Sequence, residues 1–226
     1  MGRKMIIQHK KMEDTTTTRE KVLKRIRNAL ISKTSNPYPE IDTGAAVYEP
    51  VSENPDVSFA EELTRAGGNF IYCENMDTML STLGLLVESN NLKPLACYHH
   101  ELSAYLKKAG IHVENTPGNS GSSKASITFC EYLLARTGSV MVSSRTGPGR
   151  QANVFPDVHI VLARASQLVP DIKQAFAALK EKYGQRLPSM VSLITGPSRT
   201  ADIEKTLIMG AHGPKELYVL YVDDLN

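Results

Sequence analysis

From residue 57 onward, short apolar runs and amphipathic stretches take turns along the chain. FAEELTRAGG has helical spacing and ends on glycines, NFIYC is a short apolar run, and MDTMLSTLGLLVES is helical again. PLACY, ELSAYLKKAG and IHVE then read as a strand, a helix closed by Gly110 and a strand. Such alternation with short connections predicts an α/β fold, with a mostly parallel sheet and helices on both faces. The second half keeps the pattern with longer loops. ASITF, SVMVSS, VHIVLA, MVSLIT and ELYVLYV read as strands, and CEYLLA as a short helix or turn. PDIKQAFAALKEKYG is a helix with Pro170 near its start and Gly184 at its end. Residues 199–209 read as one more helix. TPGNSGSSK (116–124) is a polar loop, and RTGPGRQANVFPD carries no helical pattern. No internal repeat is evident.

The first 56 residues differ in kind, and the main domain is placed at 57–226. Residues 1–14 read as disordered. TTTTREKVLKRIRNALIS offers Thr17 or Thr18 as a helix cap, followed by Val22, Leu23, Ile26, Ala29 and Leu30 at helical spacing. SNPYPEIDTG resists helix through its prolines and reads as an extended linker. Charge is uneven too. The chain's net charge is +2, yet residues 1–35 hold ten Lys/Arg against three Asp/Glu. No aromatics are interleaved with that basic segment and no nucleic-acid-binding motif accompanies it, so it reads as a solvated helix face with a frayed tail.

Several function classes drop out. No stretch nears 18 uninterrupted apolar residues, so no membrane span is expected, and the N-terminus lacks a signal-like apolar region. A cytoplasmic location is the expectation. Cys73, Cys97 and Cys130 are far apart and match neither zinc nor iron–sulfur spacing, so no metal or cofactor is expected on this chain. GPGRQA (147–152) fits the letters of a dinucleotide fingerprint and follows a strand. Pro156 leaves no room for the helix such a fingerprint needs, so Gly147, Gly149 and Arg150 read as a flexible loop able to line a site. Among the histidines, His159 sits in an apolar strand and reads as structural, while His99 and His100 suit a helix start. His212, beside Gly213 in the AHGP turn, is the functional candidate of the set.

The segment ITGPSRTADIEKTLIMGAHGPKEL (194–217) concentrates turn and donor chemistry. If Thr195 ends a strand and Gly196 and Pro197 turn the chain, Ser198, Arg199 and Thr200 stand at a helix N-terminus. Free N–H groups and the helix dipole there suit an anion, and an arginine adds a fork for phosphate or carboxylate. Simple capping by Ser198, with Asp202 and Glu204 complementing the dipole, is the competing explanation.

This segment also closely resembles the signature of the lactate-utilisation protein C family, the LUD-domain proteins. SITFCEYLLARTGSVMVSS, GPGRQANVFPDVHIVLARASQLVPDI and TREKVLKRIRNAL are similar to other parts of that family, so the resemblance spans most of the chain. It implies a fold like that of ribose-phosphate isomerases, coenzyme A transferases and folate cyclo-ligases. It further implies a role with two partners in oxidising L-lactate to pyruvate, one of them an iron–sulfur protein. Ligands of a parallel sheet gather beyond the carboxyl ends of its strands, and MVSLIT delivers the chain to that edge, so the expected ligand-facing set is Arg136, Thr137, Gly138 and Ser139, with Gly147, Gly149, Arg150, Thr195, Gly196, Ser198, Arg199, Thr200, Glu204, His212 and Gly213. The family commonly has Ala-Glu-Thr-Gly where this chain has Ala135-Arg136-Thr137-Gly138. A catalytic carboxylate at that position is therefore missing, and Glu131 is not assumed to replace it. Two readings stay open. One is a non-redox subunit of a lactate-oxidising assembly that binds an anionic small molecule. The other is a stand-alone enzyme on a phosphorylated or nucleotide-bearing small molecule. Homo-oligomerisation is left open as well.

Overall fold

A computed structural model describes residues 17–31, 37–42, 50–114, 123–146, 151–201, 207–209 and 213–225, with residues 35 and 48. The chain divides into two units, Met1–Glu49 and Pro50–Asn226. In the first, α1 (Thr18–Ile31) buries none of its residues. The Thr17 hydroxyl accepts from the Glu20 N–H at 3.3 Å, and the Glu20 carboxylate accepts from the Thr17 N–H at 2.8 Å. This is a reciprocal capping box, and the bonds from Thr17 hold the Glu20 carboxyl below its usual range.

The second unit contains, in order, α2 (Pro55–Arg65), β1 (Asn69–Cys73), α3 (Met76–Ser89), β2 (Leu95–Ala96), α4 (His100–Lys108), β3 (Ala125–Phe129), β4 (Tyr132–Leu134) and β5 (Ser139–Ser143). It continues with α5 (Gln151–Val154), β6 (Val158–Arg164), β7 (Leu168–Val169), α6 (Ile172–Tyr183), β8 (Val191–Ile194), β9 (Arg199–Ala201), β10 (Leu207–Met209) and β11 (Glu216–Val222). Five strands form a sheet in the order β1-β11-β6-β3-β2, and every pairing in it is parallel. Alternate residues of these strands face opposite layers. Ile160 and Leu162 of β6, with Leu220 and Val222 of β11, pack against Met79 and Leu83 of α3 and Leu102 and Leu106 of α4. Val161 and Ala163, with Leu217 and Val219, pack instead against Phe59 and Leu63 of α2 and against Leu133, Val140 and Val142. Full burial of one such side chain contributes about 1.5–3 kcal/mol.

The α/β class and the parallel sheet match the sequence reading, but several elements do not. SVMVSS and MVSLIT lie outside the parallel sheet. They are β5 and β8, paired antiparallel in a four-stranded sheet ordered β7-β4-β5-β8. CEYLLA is mostly β4, followed by a 3-10 turn at Ala135–Thr137. This second sheet shares one face of the first with α2, and its own outer face carries α6 through Leu134, Met141, Ala175 and Leu179. IHVE makes only a bridge between Glu114 and Ala96. A single helical turn, α5, occurs in the loop that read as non-helical.

The expected helix at 199–209 is the largest departure. Its ends are β9 and β10, paired antiparallel with Thr200 opposite Ile208. The Ser198 N–H, expected near a helix start, donates to the Pro214 carbonyl at 2.8 Å. The apolar run Leu207–Met209 suits a ladder, and its pairing with the nearby β9 prevails over the capping pattern.

Candidate functional site

The C-terminal half of α2 organises the region. Gly138 follows the 3-10 turn at φ 57°, and a Cβ there would lie 2.1 Å from the Leu63 nitrogen. Gly196 follows β8 at φ 74°, and a Cβ there would lie 2.2 Å from the Ala66 carbonyl oxygen. Only glycine permits both the left-handed backbone and this approach to the helix. The two loops therefore converge on α2, which the sequence alone left undecided.

Their hydroxyls meet. Ser139, 2% exposed, has its Oγ 2.7 Å from Thr137 Oγ1 and 2.7 Å from Thr195 Oγ1. This chain runs from exposed Thr137 to the wall of a cavity of about 250 Å³. Thr195, Gly196, Ser198 and Gly213 line that cavity together with Asn153 and Val154 of α5. Leu193, Ile194 and Leu217 add an apolar side, and His159 is part of the wall. His159 and Leu217 are each the second residue of their strand and face one another in the register. The cavity thus opens at the amino ends of the parallel strands. A crevice beyond their carboxyl ends, as expected from a parallel sheet fed by MVSLIT, is not what these residues form.

The arginines behave differently. Arg199 Nη2 donates to the Ala66 carbonyl at 2.9 Å. Ala66 is the C-cap of α2, so the guanidinium satisfies an orphan carbonyl at the negative end of a helix dipole. The charge that looked unfavourable at a helix start is favourable at a helix end. Arg199 is not among the cavity-lining residues. Arg136 is half-buried in the 3-10 turn, its N–H donating to the Pro170 carbonyl at 3.0 Å, and it does not line the cavity either. Thr200 is on β9. Gly147, Gly149, Arg150, Glu204 and His212 lie outside the described residues.

His159, read from its apolar strand as structural, is also part of the cavity wall. It is fully buried, its Nε2 lies 2.8 Å from Thr128 Oγ1, and its Nδ1 has no partner among the described residues. Burial pushes its pKa down to about 4. A histidine inside VHIVLA was the available signal, since a buried polar group in a core strand is the informative exception. His99 behaves as expected. It caps α4, its Nδ1 accepting from the Leu102 N–H at 3.4 Å.

Glu131 forms a second polar centre. Its side chain is 0% exposed, and it accepts from Ser143 Oγ at 2.5 Å, Lys182 Nζ at 2.8 Å and Tyr183 Oη at 2.9 Å. Partial burial and then the bond to this carboxylate raise the Tyr183 pKa. The carboxylate ties α6 to the second sheet and does not line the cavity.

Residues 57–222 match the LUD domain. Lactate utilization protein C of Halalkalibacterium halodurans is 37% identical over 131 residues, covering 54% of this chain and 57% of its own. The Bacillus licheniformis protein of that name is 38% identical over 100 residues, covering 43% and 42%. Lactate utilization protein C 1 of Bacillus mycoides is 28% identical over 165 residues, covering 66% and 70%. The chain thus spans about half the length of the first two. The crystal structure of a DUF162 family protein from Deinococcus radiodurans shares the fold at a TM-score of 0.57 and 17% identity, covering 76% of this chain and 99% of the other.

Proposed function

This chain belongs to the LUD domain family, and from that premise we propose that it is a non-redox subunit of an L-lactate utilisation system, one that oxidises lactate to pyruvate. The observation that carries the reading is the similarity to relatives named lactate utilization protein C, together with the LUD domain matched at residues 57–222. The oxidation removes two electrons and two protons, and the reading assigns the electrons to an iron–sulfur partner working with a second subunit. The cysteines of this chain suit that division. All three are buried, and burial pushes Cys97 up to about 11 and Cys130 up to about 12. Thiols held protonated in this way are poor metal ligands. Among the described residues, no group of three or more His, Cys, Asp or Glu side chains is placed to hold a metal.

In this reading the chain contributes the cavity, which takes a small carboxylate- or phosphate-bearing molecule in the cytoplasm. Its neutral polar lining, from Thr195, Ser198 and Asn153, supports a polar ligand. Residues 1–56 serve as an appendage to the domain at 57–226.

Deleting the gene should abolish growth on L-lactate while sparing growth on pyruvate. Native purification of the tagged chain should bring down an iron–sulfur protein. Normal growth on lactate, with no such protein in the eluate, overturns the reading.

A further inference from the structure

The imidazole of His159 has a buried nitrogen to which the described residues supply no partner. The ring stands on β6, beside Thr128 of β3 on one side and Leu217 of β11 on the other. It is 0% exposed and forms part of the cavity wall. With its pKa near 4 the ring is neutral, so one nitrogen donates and the other accepts.

Thr128 decides which. Its hydroxyl is buried, and among the described residues His159 Nε2 is the side-chain partner it meets. If Nε2 carried the proton, the threonine hydrogen and the Nδ1 lone pair would both be stranded. If Thr128 donates to Nε2, only the Nδ1–H is stranded. Buried polar groups are overwhelmingly paired, so the arrangement with fewer orphans holds. The proton is therefore on Nδ1, which makes it an unused donor on a residue of the wall.

We propose that the Nδ1–H of His159 receives the carbonyl or carboxylate oxygen of a short-chain acid, or of its neutral carbonyl counterpart, held in the cavity. This rests on the reading of the cavity as a ligand site. The wall restricts the class further. Val154, Leu193, Ile194 and Leu217 suit a short carbon chain, and no charged side chain lines the cavity among the described residues. A polyphosphate would bring several charges with no counter-charge to meet them, which costs more than the single charge of a carboxylate or the absent charge of a carbonyl compound. At about 250 Å³ the space also falls below the roughly 300–1,000 Å³ of sites for drug-sized ligands, which favours a small molecule.

The test begins with the unaltered protein. Long-range nitrogen–proton NMR on histidine-labelled chain should show His159 as the Nδ1–H tautomer. Titration with propionate, pyruvate, L-lactate, 2-butanone and inorganic phosphate should shift that proton with the carbon compounds and not with phosphate. Comparing the acids with 2-butanone separates a carboxylate from a neutral carbonyl. His159→Phe should weaken binding about three- to tenfold, the loss of one neutral hydrogen bond. Gly213→Ala places a Cβ 3.2 Å from Ser198 Oγ and should penalise longer chains most. A proton on Nε2 overturns the assignment. A response to phosphate alone overturns it too, while the cavity survives as an anion site. An Nδ1–H that answers only to trapped water, with no probe bound, overturns both the inference and the ligand-site reading.

Discussion

Acidification should destabilise this protein more than its carboxylates alone would, and His159 is the reason. Its ordinary pKa is 6.5, and burial lowers it to about 4 in the folded chain. As pH falls through 6.5 the unfolded chain takes up a proton that the folded chain refuses. Unfolded molecules then bind more protons, so stability falls with pH. Above 6.5 the contribution is fully present. It is lost progressively between 6.5 and about 4, and below that both states are protonated. A window of about 2.5 units at 1.36 kcal/mol each amounts to about 3 kcal/mol, of which about 2 kcal/mol is gone by pH 5. That is a large share of the 5–15 kcal/mol typical of a domain. Urea unfolding at about pH 7.5, 6 and 5 should be compared between wild type and His159→Phe. The variant keeps every carboxylate and loses only this proton site. Its stability is lower at neutral pH, because Thr128 loses its partner, but it should fall less steeply with acid. Parallel pH profiles for the two proteins would refute the reasoning, since the ring would then titrate normally or be protonated in place.

Gly138→Ala and Gly196→Ala should each cost more than about 1–3 kcal/mol, because the new Cβ meets helix backbone at 2.1 and 2.2 Å as well as a left-handed φ; unchanged urea midpoints would contradict this. Lys182→Met should cost about 3–5 kcal/mol by leaving the buried Glu131 carboxylate without its counter-charge, and a loss below 1 kcal/mol would show the tyrosine and serine suffice. Arg199→Ala should lower stability by about 0.5–1.5 kcal/mol through one lost bond to Ala66, with ligand affinity in calorimetry unchanged; a tenfold affinity loss would return the residue to the site. Deleting residues 1–35 should leave a cooperatively melting domain, and insoluble protein would show that α1 is integral.

Much of the fold was legible because burial writes a period into the chain. NFIYC and MDTMLSTLGLLVES coincide with β1 and α3, and Thr17, which caps α1, was one of the two threonines the sequence offered. The membership of β5 and β8 was not legible. A strand's apolar pattern records that it is covered, not which sheet covers it. The stretch 199–209 failed for a different reason, since Gly-Pro-Ser-Arg before an acidic residue satisfies local rules for a helix start while the pairing that wins is a local antiparallel one. Within the site, Thr195, Gly196, Ser198 and Gly213 were identified from turn chemistry, and they do share a cavity. Arg199 was read as a fork for an anion, and the partner it has here, the Ala66 carbonyl, is 133 positions away and left no local signal.

The place of β11 bears on how this chain is made. β1 joins the sheet only through β11, and the Asn69 side chain reaches the Leu217 carbonyl across 148 positions. On a ribosome, β1 emerges early and waits until the segment around residue 216 has been synthesised. Until then one edge of β6 and both edges of β1 are open, each a template for mispairing. Long-range parallel closure of this kind is slow, and the nascent chain stays exposed to aggregation while it waits. Losing the last dozen residues would therefore remove the strand that joins the two parts of the sheet, a far greater injury than trimming a tail.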